Sequence, residues 1–279
     1  MTHPLLSIDA MSTFTWSFEQ DLALWQDLGV RYAGLLISKI ADNPAEKFAR
    51  LRAVGIQSST VIVNSFDLRN PDSWGKTRAT HASMIDLVAD TGGHSIYFTP
   101  GRTTGAPWRE VLGLFTRAVA PSVAYAGHRG VHLAIEPSLR TDASFVNTIR
   151  DAIDVAECTG VELVVDFGNM WMERDSREVL KHAAPHIALI QICDVVIGGN
   201  GSPPPGGRVH IGEGELPIRR LMHEVLDAGY KGVFDLEVLG PLIEKEGYDS
   251  AVRRGVASAS ALLTEMGVPQ TRAATGTAD

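Results

Sequence analysis

The chain has 279 residues and a formal net charge of −8, and 44% of its residues are hydrophobic. These values suit one large domain or two small ones and argue against general disorder, a collagen-like repeat and a coiled coil. The acidic balance argues against nucleic acid as a partner, because phosphate-backbone binding depends on clustered Lys and Arg. Since no apolar run is long enough for a membrane span and no signal-peptide pattern is present, we expect a cytoplasmic protein with no membrane partner.

Short apolar runs alternate with amphipathic stretches eight times along the chain. Several of the runs are continuously apolar, which is typical of parallel strands buried on both faces. Eight β–α pairs in a chain of this length predict a single (β/α)8 TIM barrel over residues 1–269. The predicted strands are Leu5–Ala10, Tyr32–Ile37, Gln57–Val63, Ser95–Thr99, Val131–Glu136, Glu162–Asp166, Ile187–Ile192 and Gly232–Glu237. The predicted helices are Phe18–Leu28, Pro44–Val54, Arg78–Thr91, Trp108–Gly127, Ser144–Thr159, Ser176–Ala184, Pro217–Ala228 and Tyr248–Met266.

Glycine and proline mark the ends of some of these elements. Gly29 is placed to stop the first helix, and Pro217 suits the first turn of the seventh. The segment Val195–Glu215 contains GGNGSPPPGG and is predicted to be an irregular, mobile loop that orders over the barrel mouth when substrate binds. The tail 270–279 has no large apolar residue and is predicted to be disordered.

Polar side chains end four consecutive predicted strands, the fifth to the eighth. In barrels of this kind such residues point into the mouth, where the active site lies. Buried like charges repel one another unless a cation neutralises them. The pattern therefore predicts a divalent metal site, with a chance polar cluster as the alternative. The four residues are Glu136, Asp166, Gln191 and Glu237.

The sequence around these strand ends resembles the sugar phosphate isomerase/epimerase superfamily of xylose-isomerase-like TIM barrels. That superfamily includes inosose dehydratases, ketohexose 3-epimerases and the endonuclease IV fold. The likeness spans about residues 5–266 and is most specific in IEP, VVDFGN, QICD, RVHIGEGELP and FDLEV. It implies that Glu136, Asp166, Gln191 and Glu237 bind one divalent cation. Gln191 stands where the family pattern has a ligand His, and Asn169 stands where a substrate-binding His is usual.

Substrate contacts are expected from residues in the loops that follow the strands. The resemblance implies that Arg208, in the loop after the seventh strand, meets the substrate, and Asn169 is able to hydrogen-bond a hydroxyl. Further mouth residues are expected to contact substrate, with capping, solvation or a surface position as the alternative for each. These further residues are Lys39, Asn64, Arg102 and His210.

The resemblance implies a metal-dependent isomerase or epimerase acting on a sugar-like or polyhydroxy carbonyl compound. The metal would chelate a carbonyl oxygen and an adjacent hydroxyl and stabilise an enediolate. Glu136 and Glu237 would act as the catalytic pair that removes and returns the proton α to the carbonyl. With Gln191 replacing the usual His, every protein ligand is oxygen. Mn²⁺ is therefore the expected cofactor, with Mg²⁺ or Co²⁺ as alternatives.

Other functions share these features and stay open at this point. A lyase or dehydratase would use the same enolate step, and a degenerate barrel without activity fits the loss of the two histidines. A nuclease resembling endonuclease IV is disfavoured, because the chain is acidic and few histidines lie at strand ends. A homo-oligomer is a further expectation, since the apolar surface of barrel helices often supports dimers or tetramers.

Overall fold

Eight parallel strands close into one barrel in the computed structural model, which describes residues 1–198 and 207–270. Each strand is hydrogen-bonded to its neighbours in chain order, and the last strand pairs with the first. The predicted (β/α)8 barrel is confirmed. The barrel strands are β1 (Leu6–Asp9), β2 (Tyr32–Leu36), β3 (Gln57–Ile62), β4 (Ser95–Phe98), β5 (His132–Ile135), β6 (Glu162–Asp166), β7 (Ile187–Ile192) and β10 (Phe234–Leu236). A separate antiparallel hairpin consists of β8 (Asp194–Val196) and β9 (Gly207–Val209).

Helices surround the barrel and follow the strands in alternation. Their apolar faces pack on the outer face of the sheet and form the main core of the protein. The helices are α1 (Phe18–Leu28), α2 (Ile37–Ile40), α3 (Pro44–Ala53), α4 (Trp74–Asp90), α5 (Trp108–Arg129), α6 (Ile149–Thr159), α7 (Phe167–Met170), α8 (Ser176–Ala183), α9 (Ile218–Asp227), α10 (Pro241–Glu246) and α11 (Tyr248–Glu265). None of the helices in the described part of the chain is long and apolar enough to cross a bilayer.

Local capping chemistry explains where the helices begin and end. Ser17 forms a capping box with Gln20 at the start of α1, and Gly29 ends that helix at a φ of 64°, as predicted. The fifth predicted helix begins later than expected, at Ile149, because the Thr148 side chain caps it by accepting from the Asp151 N–H. Pro217 precedes its helix as the cap residue and does not lie inside the first turn, so that prediction is corrected.

The segment predicted as an irregular loop between β7 and α9 contains the hairpin. Asp194 organises it, because its carboxylate accepts hydrogen bonds from the backbone N–H groups of Val195, Gly212 and Leu216. A Cβ at position 214 would lie 2.2 Å from Asp194 Oδ1, so the chain passes this carboxylate only with glycine there. The predicted irregular backbone is therefore wrong for both strands of the hairpin. Residues 199–206 and the tail 271–279 lie outside the described residues, and the mobility predicted for them stays a prediction.

Candidate metal centre

Three buried carboxylates meet at the mouth of the barrel. Glu136 directly follows β5, Asp166 ends β6 and Glu237 directly follows β10. One carboxylate oxygen from each lies within 4.8 Å of the oxygens offered by the other two. The three come together because the carboxyl ends of parallel barrel strands converge on one face. Three carboxylates at this separation are able to hold a metal ion.

The Arg208 guanidinium lies among these carboxylates and bridges two of them. Its Nη2 donates to Asp166 Oδ2 at 2.6 Å, and its Nη1 donates to Glu237 Oε2 at 2.6 Å. The side chain is only 7% exposed, so both ion pairs are shielded from water. Strand β9 carries Arg208 to this position. One positive charge thus partly offsets three negative ones.

Asn169 contributes neutral hydrogen-bond donors to the same cluster. It lies on α7, the short helix that begins directly after β6. Its Nδ2 donates to Glu136 Oε1 at 2.9 Å and to Asp166 Oδ2 at 2.8 Å. Its Oδ1 accepts from the Leu139 N–H, which fixes the amide with its NH₂ group toward the carboxylates. Asn169 therefore orients two of the three acids.

Burial and mutual repulsion raise the pKa of both glutamates. The pKa of Glu136 lies well above its ordinary value, because burial disfavours the charged form and Glu237 and Asp166 repel it. Burial raises the pKa of Glu237 to about 8, although the Arg208 charge works in the opposite direction. A divalent cation would lower both values, since it stabilises the ionised forms.

Gln191 lies on β7 between two acid-bearing strands and is fully buried. Its backbone is paired with Asp166 on one side and with Asp235 on the other. The side-chain Nε2 donates to the Tyr97 hydroxyl at 3.0 Å. Its Oε1 is buried and accepts no hydrogen bond from residues 1–198 or 207–270. A buried amide oxygen without a donor fits a missing electrophile, and an amide oxygen is a ligand type that hard divalent cations accept.

Sequence reasoning missed a second acidic pair inside the barrel, Asp9 of β1 and Asp235 of β10. Burial and its proximity to Asp235 raise the pKa of Asp9 well above its ordinary value, and burial raises the pKa of Asp235 to about 6. Gly34 leaves room for them, because a Cβ there would lie 2.8 Å from Asp9 Oδ2. The two-residue period of strands could have revealed Asp235, since it shares the inward face of Glu237.

Two other predicted substrate residues are engaged in contacts within the protein. Lys39 Nζ donates to the Ala10 and Thr13 carbonyl oxygens and pairs with Asp21 at 2.7 Å, which fixes the segment after β1. His210 is buried, and its Nε2 lies 2.9 Å from Glu246 Oε2. The structure therefore places both side chains in roles that hold loops together and does not bring either to the carboxylate cluster.

The remaining predicted contacts lie further out on the mouth. Asn64 is exposed after β3, and its backbone carbonyl accepts from the His81 ring. Arg102 is exposed in the segment after β4. The structure thus unites Glu136, Asp166, Glu237, Asn169 and Arg208 around one point, with Asn64 and Arg102 on the surrounding surface.

Comparison with solved structures finds many barrels of the same shape. Protein SMc04130 from Sinorhizobium meliloti 1021 is 21% identical, with a TM-score of 0.81 over 91% of this chain and 96% of that one. The IolI protein with a bound zinc atom is 18% identical, with a TM-score of 0.80 over 95% of this chain and 99% of that one. D-psicose 3-epimerase from Clostridium cellulolyticum H10, solved with D-tagatose, is 16% identical, with a TM-score of 0.72 over 96% and 98% of the two chains. At these identities the likeness establishes the fold.

A comparison with curated protein sequences finds no match. The model of one protein family does match, over residues 22–256, and its description is xylose isomerase-like TIM barrel. The matched range begins within α1, ends within α11 and includes every residue of the carboxylate cluster. The chain belongs to the xylose isomerase-like TIM barrel family.

Proposed function

We propose that this protein is a divalent-metal-dependent isomerase or epimerase that acts on a polyhydroxy carbonyl compound. The observation that carries the proposal is the convergence of Glu136, Asp166 and Glu237 within 4.8 Å at the barrel mouth. Membership of the xylose isomerase-like family supports it, and so do the names of two structural neighbours. One neighbour is a 3-epimerase solved with a ketohexose, and the other holds a zinc atom.

The metal would be held by oxygen atoms alone, those of the three carboxylates and the unpartnered Oε1 of Gln191. Such a shell suits Mn²⁺ or Mg²⁺ better than Zn²⁺, which favours nitrogen and sulfur donors. When bound, the cation supplies Lewis-acid chemistry that makes the hydrogen α to the substrate carbonyl more acidic.

Glu136 and Glu237 are the residues proposed to move the proton. They follow β5 and β10, with β6 and β7 lying between these strands in the barrel, so they approach a central substrate from different sides. One oxygen of each is already hydrogen-bonded, Glu136 Oε1 by Asn169 and Glu237 Oε2 by Arg208. The bond from Asn169 fixes Glu136, and each of the two carboxylates keeps a second oxygen for a proton. Removal on one side and return on the other inverts a carbon, whereas return to the neighbouring carbon isomerises the sugar.

Substrate oxygens would be held by donors that surround the two glutamates. Asn169 and Arg208 are the inner contacts in this proposal, because both already donate to the cluster. Asn64 and Arg102 would be the outer contacts, since each follows a barrel strand and is exposed at the mouth. A small polyhydroxy compound offers many hydroxyl groups to such donors.

The test is exchange of substrate hydrogen with solvent. The protein, loaded with Mn²⁺ in D₂O, is incubated with a panel of ketohexoses and aldoses, and NMR locates any deuterium. Deuterium at the inverted or isomerised carbon is expected. Glu136→Gln and Glu237→Gln should each abolish it, because a Gln amide neither removes nor returns the proton. Glu244→Gln, a change at an exposed glutamate of α10, is the matched control and should keep full exchange. Exchange that survives in both site variants would show that these glutamates do not transfer the proton.

A further inference from the structure

Asp166 has no acceptor position left for a metal ion while its present partners stay in place. Its Oδ1 accepts from the Gly168 N–H at 3.0 Å, from Arg208 Nη1 at 3.4 Å and from the Cys193 thiol at 3.5 Å. Its Oδ2 accepts from Arg208 and from Asn169, at 2.6 and 2.8 Å. A carboxylate offers about four lone-pair positions, so these five hydrogen bonds, two of them from Arg208, fill them. At least one donor must leave before Asp166 becomes a ligand.

We infer that Arg208 is an internal competitor for the metal, whose guanidinium must leave Asp166 and Glu237 before a divalent cation binds there. This inference rests on the proposed function, because it concerns the metal of that site. Among the four donor residues Arg208 alone carries a full positive charge, which a dication bound to the same carboxylates would repel. Gly168, Cys193 and Asn169 are neutral and are compatible with a bound cation. Arg208 also blocks a second ligand, since it donates to Glu237 Oε2 at 2.6 Å.

The backbone around Arg208 is held in place, so the exchange would involve the side chain alone. The Asp194 carboxylate anchors the hairpin by accepting hydrogen bonds from the backbone N–H groups of Val195, Gly212 and Leu216. His210, two residues further on, is paired with Glu246 of α10. A long, flexible Arg side chain can leave by rotation and break only its own bonds to the carboxylates, whereas moving this anchored strand would also break all of the bonds that hold the hairpin.

Replacement of Arg208 by the cation sets the order in which metal and substrate bind at the site. Without metal, the Arg208 charge stabilises buried carboxylates that would otherwise repel one another. Once the cation has taken its place, the guanidinium is free to donate to substrate oxygens. The same side chain then has two successive partners, the carboxylates before the metal binds and the substrate afterwards.

The experiment compares Mn²⁺ binding by metal-free wild-type protein and Arg208→Gln, using calorimetry and the electron paramagnetic resonance signal of free Mn²⁺. The variant should bind Mn²⁺ more tightly by about tenfold or more, because the three charge-assisted hydrogen bonds from Arg208 to Asp166 and Glu237 no longer have to break. Its metal-free form should melt at a lower temperature than wild type, and its gain in melting temperature on Mn²⁺ addition should be larger. Arg220→Gln, which removes hydrogen bonds to Ser176 and Glu224 away from the site, is the matched control.

If Arg208→Gln fails to fold, Arg208→Lys takes its place. A lysine keeps the charge but has no planar fork to bridge two carboxylates, so a smaller rise in affinity is expected. Mn²⁺ binding by the variant but not by wild type would support the inference most strongly. If wild type binds Mn²⁺ and the variants bind it with equal or lower affinity, the inference is overturned and the proposed metal site stays intact. Failure of every protein to bind Mn²⁺, Mg²⁺ or Co²⁺ would overturn the proposed function, and the inference with it.

Discussion

A buried carboxylate is costly unless hydrogen bonds, a proton or a cation compensate it, and each acid in this barrel has its own compensation. Asp166 accepts five hydrogen bonds, whereas Glu136 accepts one from Asn169 and has a strongly raised pKa. Gln191 differs from these acids, because its buried amide oxygen accepts no hydrogen bond from the described residues. This difference makes Gln191 the residue at which the proposed ligand set is most directly tested.

Gln191→His should change which metal the protein prefers. An imidazole nitrogen in place of an amide oxygen favours Zn²⁺ over Mn²⁺, so the ratio of Zn²⁺ to Mn²⁺ affinity should rise by about tenfold or more. Competitive calorimetry on chelator-treated protein measures this ratio. Gln191→Leu, which removes the donor without replacing it, is the control and should weaken both metals. An unchanged ratio in the His variant would mean that Gln191 does not touch the metal.

At the scale of elements, the strands position the acids and the segments after them position the donors. Asp166 ends a strand, and α7 begins immediately and brings Asn169 back toward it. The hairpin does the same for Arg208, although its two strands have only three residues each. Because so short a hairpin has few ladder hydrogen bonds, the Asp194 carboxylate supplies part of its stability.

Asp194→Asn should loosen the hairpin without unfolding the barrel. An Asn amide keeps one acceptor oxygen but turns an NH₂ group toward a backbone N–H, so the bond to Gly212 or the bonds to Val195 and Leu216 are lost. A buried donor left unpaired costs about 1–3 kcal/mol. Urea unfolding should show that loss, and hydrogen exchange should rise over 194–198 and 207–216. Asp227→Asn, at a half-exposed ion pair with Arg177, is the control. Unaltered exchange at Gly212 and Leu216 would contradict the role given to Asp194.

The sequence predicts those parts of the fold and the site that depend on residues close together in the chain or on the barrel topology. All eight barrel strands lie within two residues of their predicted bounds, because buried parallel strands have a clear apolar pattern. The convergence of Glu136, Asp166 and Glu237 follows from the barrel topology. The position of Arg208 does not follow from the topology, because it depends on a hairpin whose two short strands lie in a segment rich in glycine and proline. Asp9 was missed because a single acid at the end of a first strand has no distinguishing pattern.

For the molecule as a whole, the free energy of unfolding depends on buried groups whose pKa values are shifted in opposite directions from their ordinary values: upward for two acids and downward for one histidine. Burial raises the pKa of Asp21 to about 6, and that of Asp235 also to about 6. Both acids are protonated more readily in the folded state than in the unfolded chain, so their contribution to stability falls as the pH rises. His81 has the opposite sign, because burial lowers its pKa to about 4 from an ordinary value of 6.5. The pH profile of the free energy of unfolding is the sum of these effects.

Replacing His81 should isolate its part of that profile. The ring Nε2 donates to the Asn64 carbonyl at 2.9 Å, and Nδ1 has no partner among the described residues, so the folded protein holds the ring neutral. Between pH 6.5 and 4 the unfolded chain takes up a proton that the folded protein refuses. The stability contributed by neutral His81 is therefore present above pH 6.5 and falls by about 3 kcal/mol as the pH drops to 4.

His81→Gln keeps a donor for the Asn64 carbonyl and removes the titration. The variant should be less stable than wild type at pH 8, and the difference should shrink as the pH falls toward 4. Urea unfolding of both proteins from pH 8 to pH 4.5 measures it, and subtraction cancels the contributions of the acids. His182→Gln, at a side chain that is 68% exposed, is the control and should give a constant difference. If the His81→Gln difference is equally constant with pH, then His81 is not held neutral, and the Asn64 segment at the barrel mouth is anchored in another way.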